Sequence, residues 1–237
     1  MSLTVSIGCF HEHLQDPPDG HVTVAVDVIR ATTTAITAVA GGRRVWVAPS
    51  IESAVPLAGR LTNPLLAGEL GGFMPYGFHI QNSPSVVAEL DEQERPILLL
   101  STSGTRLMTE AGEQGRAYAA CLRNARAQAE SIARRGTSAR LLGADSRGEF
   151  RDEDQLCCAR MARTLVECGY RPADAETEAV LARWGEAADD AFLNSRSVAY
   201  LRDTGQERDV DFVLDHIDDL TDVFSIRDGE IVRGDVF

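Results

Sequence analysis

Lysine is absent: all 23 basic residues of this 237-residue chain are arginine. Its absence excludes a Walker-type phosphate loop, Schiff-base chemistry, and phosphatases that hold the transferring phosphoryl group with a lysine. Any bound anion must be held by arginine, backbone N–H groups, hydroxyls or metal. Positive charge is scarce as well. The 36 acidic residues give a formal net charge of −13, which opposes broad contact with a phosphate backbone and excludes a nucleic-acid partner from the expectations. No apolar run approaches the roughly 20 residues of a membrane span. The opening M-S-L-T-V-S-I has no basic n-region, so no membrane association and a cytoplasmic location are expected. C-x-x-C spacing is missing too. Cys9, Cys121, Cys157, Cys158 and Cys168 are an odd set and are expected as reduced thiols. Internal repeats and low-complexity segments are lacking.

What is present is organised around Val22 to Thr34, V-T-V-A-V-D-V-I-R-A-T-T-T. The β-branched apolar run from Val22 to Ile29 reads as a central strand of an α/β sheet. Asp27 lies near its C-terminal end, the edge where open α/β sheets place ligands. Arg30 and the hydroxyls of Thr32, Thr33 and Thr34 follow at the start of a helix closed by Gly41 and Gly42. An acid, a guanidinium, three hydroxyls and free helical N–H groups are the parts of a magnesium-phosphate or other anion site. The alternative is that Asp27 caps and the threonines only start the helix.

Further strands are predicted at Leu3 to Cys9, Arg43 to Ala48, Leu65 to Leu70, Pro96 to Leu100, Tyr118 to Leu122 and Ala139 to Ala144, alternating with helices. This order predicts one α/β domain over 1–237, with a helical segment at about 172–220 packed on it. His11-Glu12-His13 invites a zinc reading, but neighbouring residues in a loop rarely converge on one ion, so a solvated loop is expected. Glu69 leads into a loop rich in glycine and aromatics, and Asn82-Ser83-Pro84 has the sequence of a helix start. The opening theme recurs at Ser101-Thr102-Ser103-Gly104-Thr105-Arg106: an apolar strand, then hydroxyls and an arginine before a helix. Asn124 is predicted to cap a helix closed by Gly136. Glu149 to Asp154 is acid-rich and precedes a helix predicted from Gln155 to Cys168. Cys157 to Thr164 formally matches the C-x5-R-[ST] pattern of cysteine phosphatases, yet its intervening residues are helix formers and not a glycine-rich anion loop. The end reads as a hairpin turning on Asp228-Gly229.

The segments D-V-I-R-A-T-T-T (27 to 34), G-E…G-F-H-I-Q-N-S-P (68 to 84), S-T-S-G-T (101 to 105), N-A (124 to 125) and G-E-F-R-D-E-D (148 to 154) stand in a characteristic order and spacing. So does the S-x-x-x-L-x-x-x-G segment from Ser197, with the D-V-D-F-V-L-D after it. Together they resemble the 2-phosphosulfolactate phosphatase family, the ComB-like group associated with coenzyme M biosynthesis. The resemblance implies a three-layer α/β/α fold with a mostly parallel or mixed sheet. It also implies a magnesium-dependent phosphatase converting 2-phosphosulfolactate to 3-sulfolactate. Within it, Ser103 stands where an asparagine is usual, and His79 and Gln81 where an acid and a glycine are common. A phosphatase on another small phosphorylated hydroxy acid, and a non-catalytic anion-binding protein, therefore remain alternatives; a homo-oligomer is compatible with all three.

Combining residues and resemblance, the expected catalytic acids are Asp27, Glu69, Glu153 and Asp154. Mg²⁺ is expected on Asp27, Glu69 and Asp154. Phosphate and substrate contacts are expected from Arg30, Thr32, Thr33, Thr34, Asn82, Ser83, Thr102, Ser103, Gly104, Thr105, Arg106 and Asn124. Asp27 fits either a metal ligand or an aspartyl-phosphate former.

Overall fold

The computed structural model describes residues 2–10, 20–91, 94–145 and 148–237. The His11-Glu12-His13 triplet lies outside the described residues. Among the described residues ten strands form one sheet: β1 (Thr4–Cys9), β2 (Val22–Val26), β3 (Val45–Ala48), β4 (Leu65–Gly68), β5 (Ile97–Leu100), β6 (Ala117–Ala120), β7 (Ala139–Gly143), β8 (Arg171–Pro172), β9 (Phe224–Arg227) and β10 (Glu230–Arg233), in the order β4-β5-β3-β10-β9-β6-β2-β7-β1-β8. The described helices are α1 (Ala31–Ala40), α2 (Ile51–Ala58), α3 (Pro84–Ala88), α4 (Gly104–Glu113), α5 (Ala125–Arg135), α6 (Asp152–Glu167), α7 (Ala175–Trp184), α8 (Arg196–Asp203) and α9 (Arg208–Asp215). None is long and apolar enough to cross a membrane.

β2 is central because every one of its side chains is apolar or small enough to be buried on two faces. Val24 and Val26 face a core shared with Leu156 and Met161 of α6, Ile132 of α5 and Val198 of α8. Ala25 faces the opposite core, with Ile36 of α1 and Leu107 and Met108 of α4. Helices on both faces of one mixed sheet make the expected three-layer α/β/α architecture. In the helical tail, α7 packs on α6 and β1, and α9 on α3 and α8.

The hairpin β9–β10 turns on Asp228 and Gly229, both at positive φ (50° and 75°), the backbone that a tight hairpin turn requires. It occupies the middle of the sheet: β9 pairs antiparallel with β6, and β10 antiparallel with β3. The two parallel blocks on either side, β4-β5-β3 and β6-β2-β7-β1-β8, therefore run in opposite directions. A one-direction sheet would place all ligand-bearing strand ends on one edge; this one does not. The ends of β2 and β5 nevertheless meet, with Asp27 after β2 lying against Gly104 after β5.

Two of the element boundaries that differ from the sequence reading bear on the site. β2 stops at Val26, so Asp27 to Arg30 form the turn, with a cis peptide between Ile29 and Arg30. α6 begins at Asp152, three residues before the predicted Gln155, because acids in a first turn complement the helix dipole. Cys157 and Cys158 are fully buried within α6, where burial pushes both thiols well above their usual range. A thiolate mechanism there is excluded. The five cysteines form no disulfide.

Candidate active site

Hydroxyls fold the turn after β2. Thr32 Oγ1 accepts from the Asp27 N–H at 2.9 Å and donates to the Asp27 carbonyl at 2.8 Å, while Thr33 Oγ1 donates to the Val28 carbonyl at 2.7 Å. These bonds press Asp27 against the start of α1, where its Oδ1 accepts from the Ala31 N–H at 3.1 Å. Its Oδ2 lies against Gly104, the first residue of α4. A Cβ at Gly104 would overlap that oxygen and come within 2.6 Å of the Ala31 Cβ, so only glycine admits the approach. Burial pushes Asp27 up to about 7; the charges of Glu69 and Glu153 act in the same sense, against the Ala31 bond and Arg30.

Asp154, in the first turn of α6, reaches the same turn and accepts from the Val28 N–H at 2.7 Å. Burial holds it well above the carboxylate range, reinforced by Asp27 and Glu153. Glu69 follows β4 and clips two loops together. Its Oε1 accepts from the Thr102 N–H at 2.7 Å, and its Oε2 from the Gly72 N–H at 2.7 Å and the Thr102 hydroxyl at 3.0 Å. Arg30 is buried, with Nη1 donating to Gln206 Oε1 and Asp209 Oδ2, each at 2.7 Å.

One cavity of about 280 Å³ collects these groups: Asp27, Arg30, Glu69, Asn82, Thr102, Ser103 and Asp154 all line it. Asn82 is 2 % exposed, and its Oδ1 has no partner among the described residues. Ser103 is the N-cap of α4, yet its side chain makes no capping bond. Both are placed to meet a ligand.

The remaining expected contacts are turned elsewhere. Thr32 and Thr33 serve the backbone as above, and Thr34 is buried in α1 away from the cavity. Thr105 repeats the Thr32 pattern, accepting from the Ser101 N–H at 2.9 Å and donating to the Ser101 carbonyl at 3.0 Å. Gly104 contributes room for Asp27, not a wall of the cavity. Ser83 caps α3 and donates to Asp209 Oδ1 at 2.7 Å. Asn124 closes the β6–α5 turn by accepting from the Cys121 N–H at 3.0 Å. Arg106 is about half exposed, pairs with Glu110 at 2.6 Å and lies over the Phe10 ring. Glu153 does not line the cavity; burial raises it, opposed by hydrogen bonds from Ser197 and Ser195, and its Oε2 is buried without a partner among the described residues.

The sequence reading missed Asp145, Arg151, Arg196, Ser197 and Tyr200 on the cavity wall. Glu149 bridges Arg151, at 2.9 Å, and Arg196. The Tyr200 hydroxyl donates to the Gly72 carbonyl at 3.0 Å, docking α8 over the loop after β4. Arg151 sat inside the acid-rich motif that was read for its carboxylates. Ser197 and Tyr200 stand in a motif of the resemblance but with no chemical role read from it, and Arg196 carries no local signal beyond a helix start capped by Ser195.

Among the described residues, no group of three or more His, Cys, Asp or Glu side chains converges on one metal position. Of the expected set Asp27, Glu69 and Asp154, Glu69 holds the Thr102 and Gly72 amides across the cavity from the other two. Asp27 and Asp154 remain, two hard oxygen donors whose mutual repulsion a divalent cation would relieve. Magnesium keeps several waters and needs only one or two protein carboxylates, so this donor pair fits it.

A family model described as 2-phosphosulpholactate phosphatase matches residues 10–228. Among curated relatives, a protein of Symbiobacterium thermophilum is 34% identical over 151 residues, covering 62% of this chain and 64% of that protein. One of Pseudothermotoga lettingae is 34% identical over 145 residues, covering 61% and 62%. One of Deinococcus radiodurans is 30% identical over 203 residues, covering 82% and 85%. Each is named probable 2-phosphosulfolactate phosphatase. The chain thus spans less than two thirds of the length of the first two.

Proposed function

We propose, from the premise that this chain belongs to the 2-phosphosulpholactate phosphatase family, that it is a magnesium-dependent phosphatase releasing phosphate from 2-phosphosulfolactate to leave 3-sulfolactate. The reaction is of the coenzyme M biosynthetic type, carried out in the cytoplasm by one domain. The observation that supports this most is the meeting, in one cavity, of the buried Asp27–Asp154 pair with Arg30, Arg151 and Arg196. Carboxylates beside arginines suit a cation bound with a polyanion, and a phosphate ester that also carries a carboxylate and a sulfonate presents three groups for three arginines.

Asp27 and Asp154 hold the Mg²⁺, which supplies charge neutralisation and polarisation of the phosphoryl oxygens. Arg30 contacts the phosphoryl group, and the Ser103 hydroxyl and Asn82 complete its surroundings at the start of α4. Arg151 and Arg196 face the acidic tail of the substrate, with Glu149 holding them when the cavity is empty. Asp145, on the same wall at the end of β7, takes the proton of the attacking water. Tyr200 and the loop it holds screen the site from bulk water.

The test is phosphate release from 2-phosphosulfolactate and from a panel of phosphorylated hydroxy acids, with Mg²⁺ or with EDTA. Magnesium-dependent release, highest for 2-phosphosulfolactate, is expected. Release from a different panel member alone would move the substrate, and none from any folded, metal-loaded sample would leave an anion-binding protein on this scaffold.

A further inference from the structure

We propose that Asp209 is a positioning residue for anion recognition: it fixes the Arg30 guanidinium so that Nε and Nη2 are presented to the phosphoryl group. That the anion is a phosphoryl group rests on the function proposed above; the geometry does not. Asp209 is 2 % exposed and sits in α9, remote in sequence from Arg30. Its Oδ1 accepts from the Ser83 hydroxyl at 2.7 Å, the Ser85 N–H at 3.1 Å and the Ser85 hydroxyl at 2.6 Å, which locks the carboxylate on α3. Its other oxygen, Oδ2, takes Arg30 Nη1 at 2.7 Å, with the two side chains only 2 % and 4 % exposed. Gln206 accepts from the same nitrogen at 2.7 Å. Both bonds fall on Nη1, so one face of the guanidinium is anchored while Nε and Nη2 make no bond among the described residues, on a side chain that lines the cavity.

A buried ion pair adds little stability over an apolar pair of the same shape, so stability alone does not account for this one. Orientation does: an arginine held before the ligand arrives loses no rotamer freedom on binding. Coulomb's law alone makes the opposite forecast. A carboxylate this close cancels positive charge, so deleting it would tighten anion binding.

The experiment titrates inorganic phosphate into the full chain at fixed Mg²⁺ by calorimetry, for wild type, Asp209→Asn, Arg30→Ala and the double variant. Asp209→Asn is expected to bind phosphate about 10-fold more weakly, the loss of one hydrogen bond to a charged group. The double variant should be no weaker than Arg30→Ala alone, since a positioning residue has nothing left to position. With 2-phosphosulfolactate, KM should rise by a similar factor while kcat changes less. Unchanged or tighter phosphate binding by folded Asp209→Asn, losses that multiply in the double variant, or no phosphate binding by wild type would each overturn the proposal. If Asp209→Asn does not fold, Gln206→Leu, at a part-exposed site, takes its place: about 3-fold weaker binding supports the anchor on Nη1, and unchanged binding overturns it. A wild type that binds phosphate but does not hydrolyse 2-phosphosulfolactate sinks the function and leaves the positioning role decided by the titration.

Discussion

After β2 and after β5 the chain makes nearly the same strand-to-helix turn. At Asp27 a threonine five residues on closes a ring with the backbone N–H and carbonyl; at Ser101 a threonine four residues on does the same. In both, the first side chain accepts from a helical N–H: Asp27 Oδ1 from Ala31, and Ser101 Oγ from Thr105 at 2.9 Å. Only one of the two carries an ionisable group, and only that group is pushed by burial up to about 7. The difference separates construction from chemistry. Hydroxyls in such turns serve the backbone, and the reactive character resides in a single buried carboxylate set against a second helix start.

Removing the one charge that distinguishes the two turns has the largest expected effect. Asp27→Asn should lower turnover by about 10²–10³ through loss of charge at the developing transition state, while Ser101→Ala should cost less than about 10-fold; steady-state kinetics on both folded variants measures the asymmetry. Equal losses would mean that the carboxylate is no more than a cap. Gly104→Ala comes next. It forces Asp27 Oδ2 away from α4, so activity should fall by roughly 10-fold or more and stability by about 1–3 kcal/mol, read by kinetics and denaturant melts.

A third test uses pH. Between the ordinary 3.8 and about 7, the folded chain keeps on Asp27 a proton that the unfolded chain has released. Stability of the chelated protein should therefore fall as pH rises from about 4 through 7. Asp154 and Glu153, raised for the same reason, act in the same direction. Thermal melts in EDTA at pH 5 and pH 8 should show the lower midpoint at pH 8, and Asp27→Asn should narrow the gap; a midpoint that rises with pH would contradict the burial argument. The smallest effect sharpens the likeness of the turns. Thr32→Val and Thr105→Val each strand a buried backbone N–H, so each should cost about 1–3 kcal/mol, and a large inequality would show that the turns are not equivalent.

The strand-turn-helix units were legible because their signals are local. Apolar β-branched runs, Ser83-Pro84 at a helix start and Asp228-Gly229 in a hairpin each act within a few residues. Acids were found where burial later gave them their character. The hydroxyls and arginines were sorted less well. Arg30 and Arg106 follow similar strands and stand at the starts of similar helices, yet one is enclosed by Asp209 and Gln206 at the cavity, and the other pairs on the surface with Glu110. Glu69 carries the right chemistry for a metal ligand, but its oxygens meet the Thr102 and Gly72 amides.

By itself the sequence determined the kinds of group available: no lysine, an acid at the end of a central strand, and arginines as the only strong cations. It also determined the local turns that present them, since backbone preference and side-chain-to-backbone bonding act over four or five residues. Tertiary structure alone decided which of those groups meet. The C-terminal hairpin enters mid-sheet and sets the three strands on one side against the five on the other, the long-range packing brings Asp27, Glu69 and Ser103 to one cavity, and α8 and α9 add Arg196 and Asp209 from the far end of the chain. Strand order and burial are properties of long-range pairing, and no window of the sequence encodes them.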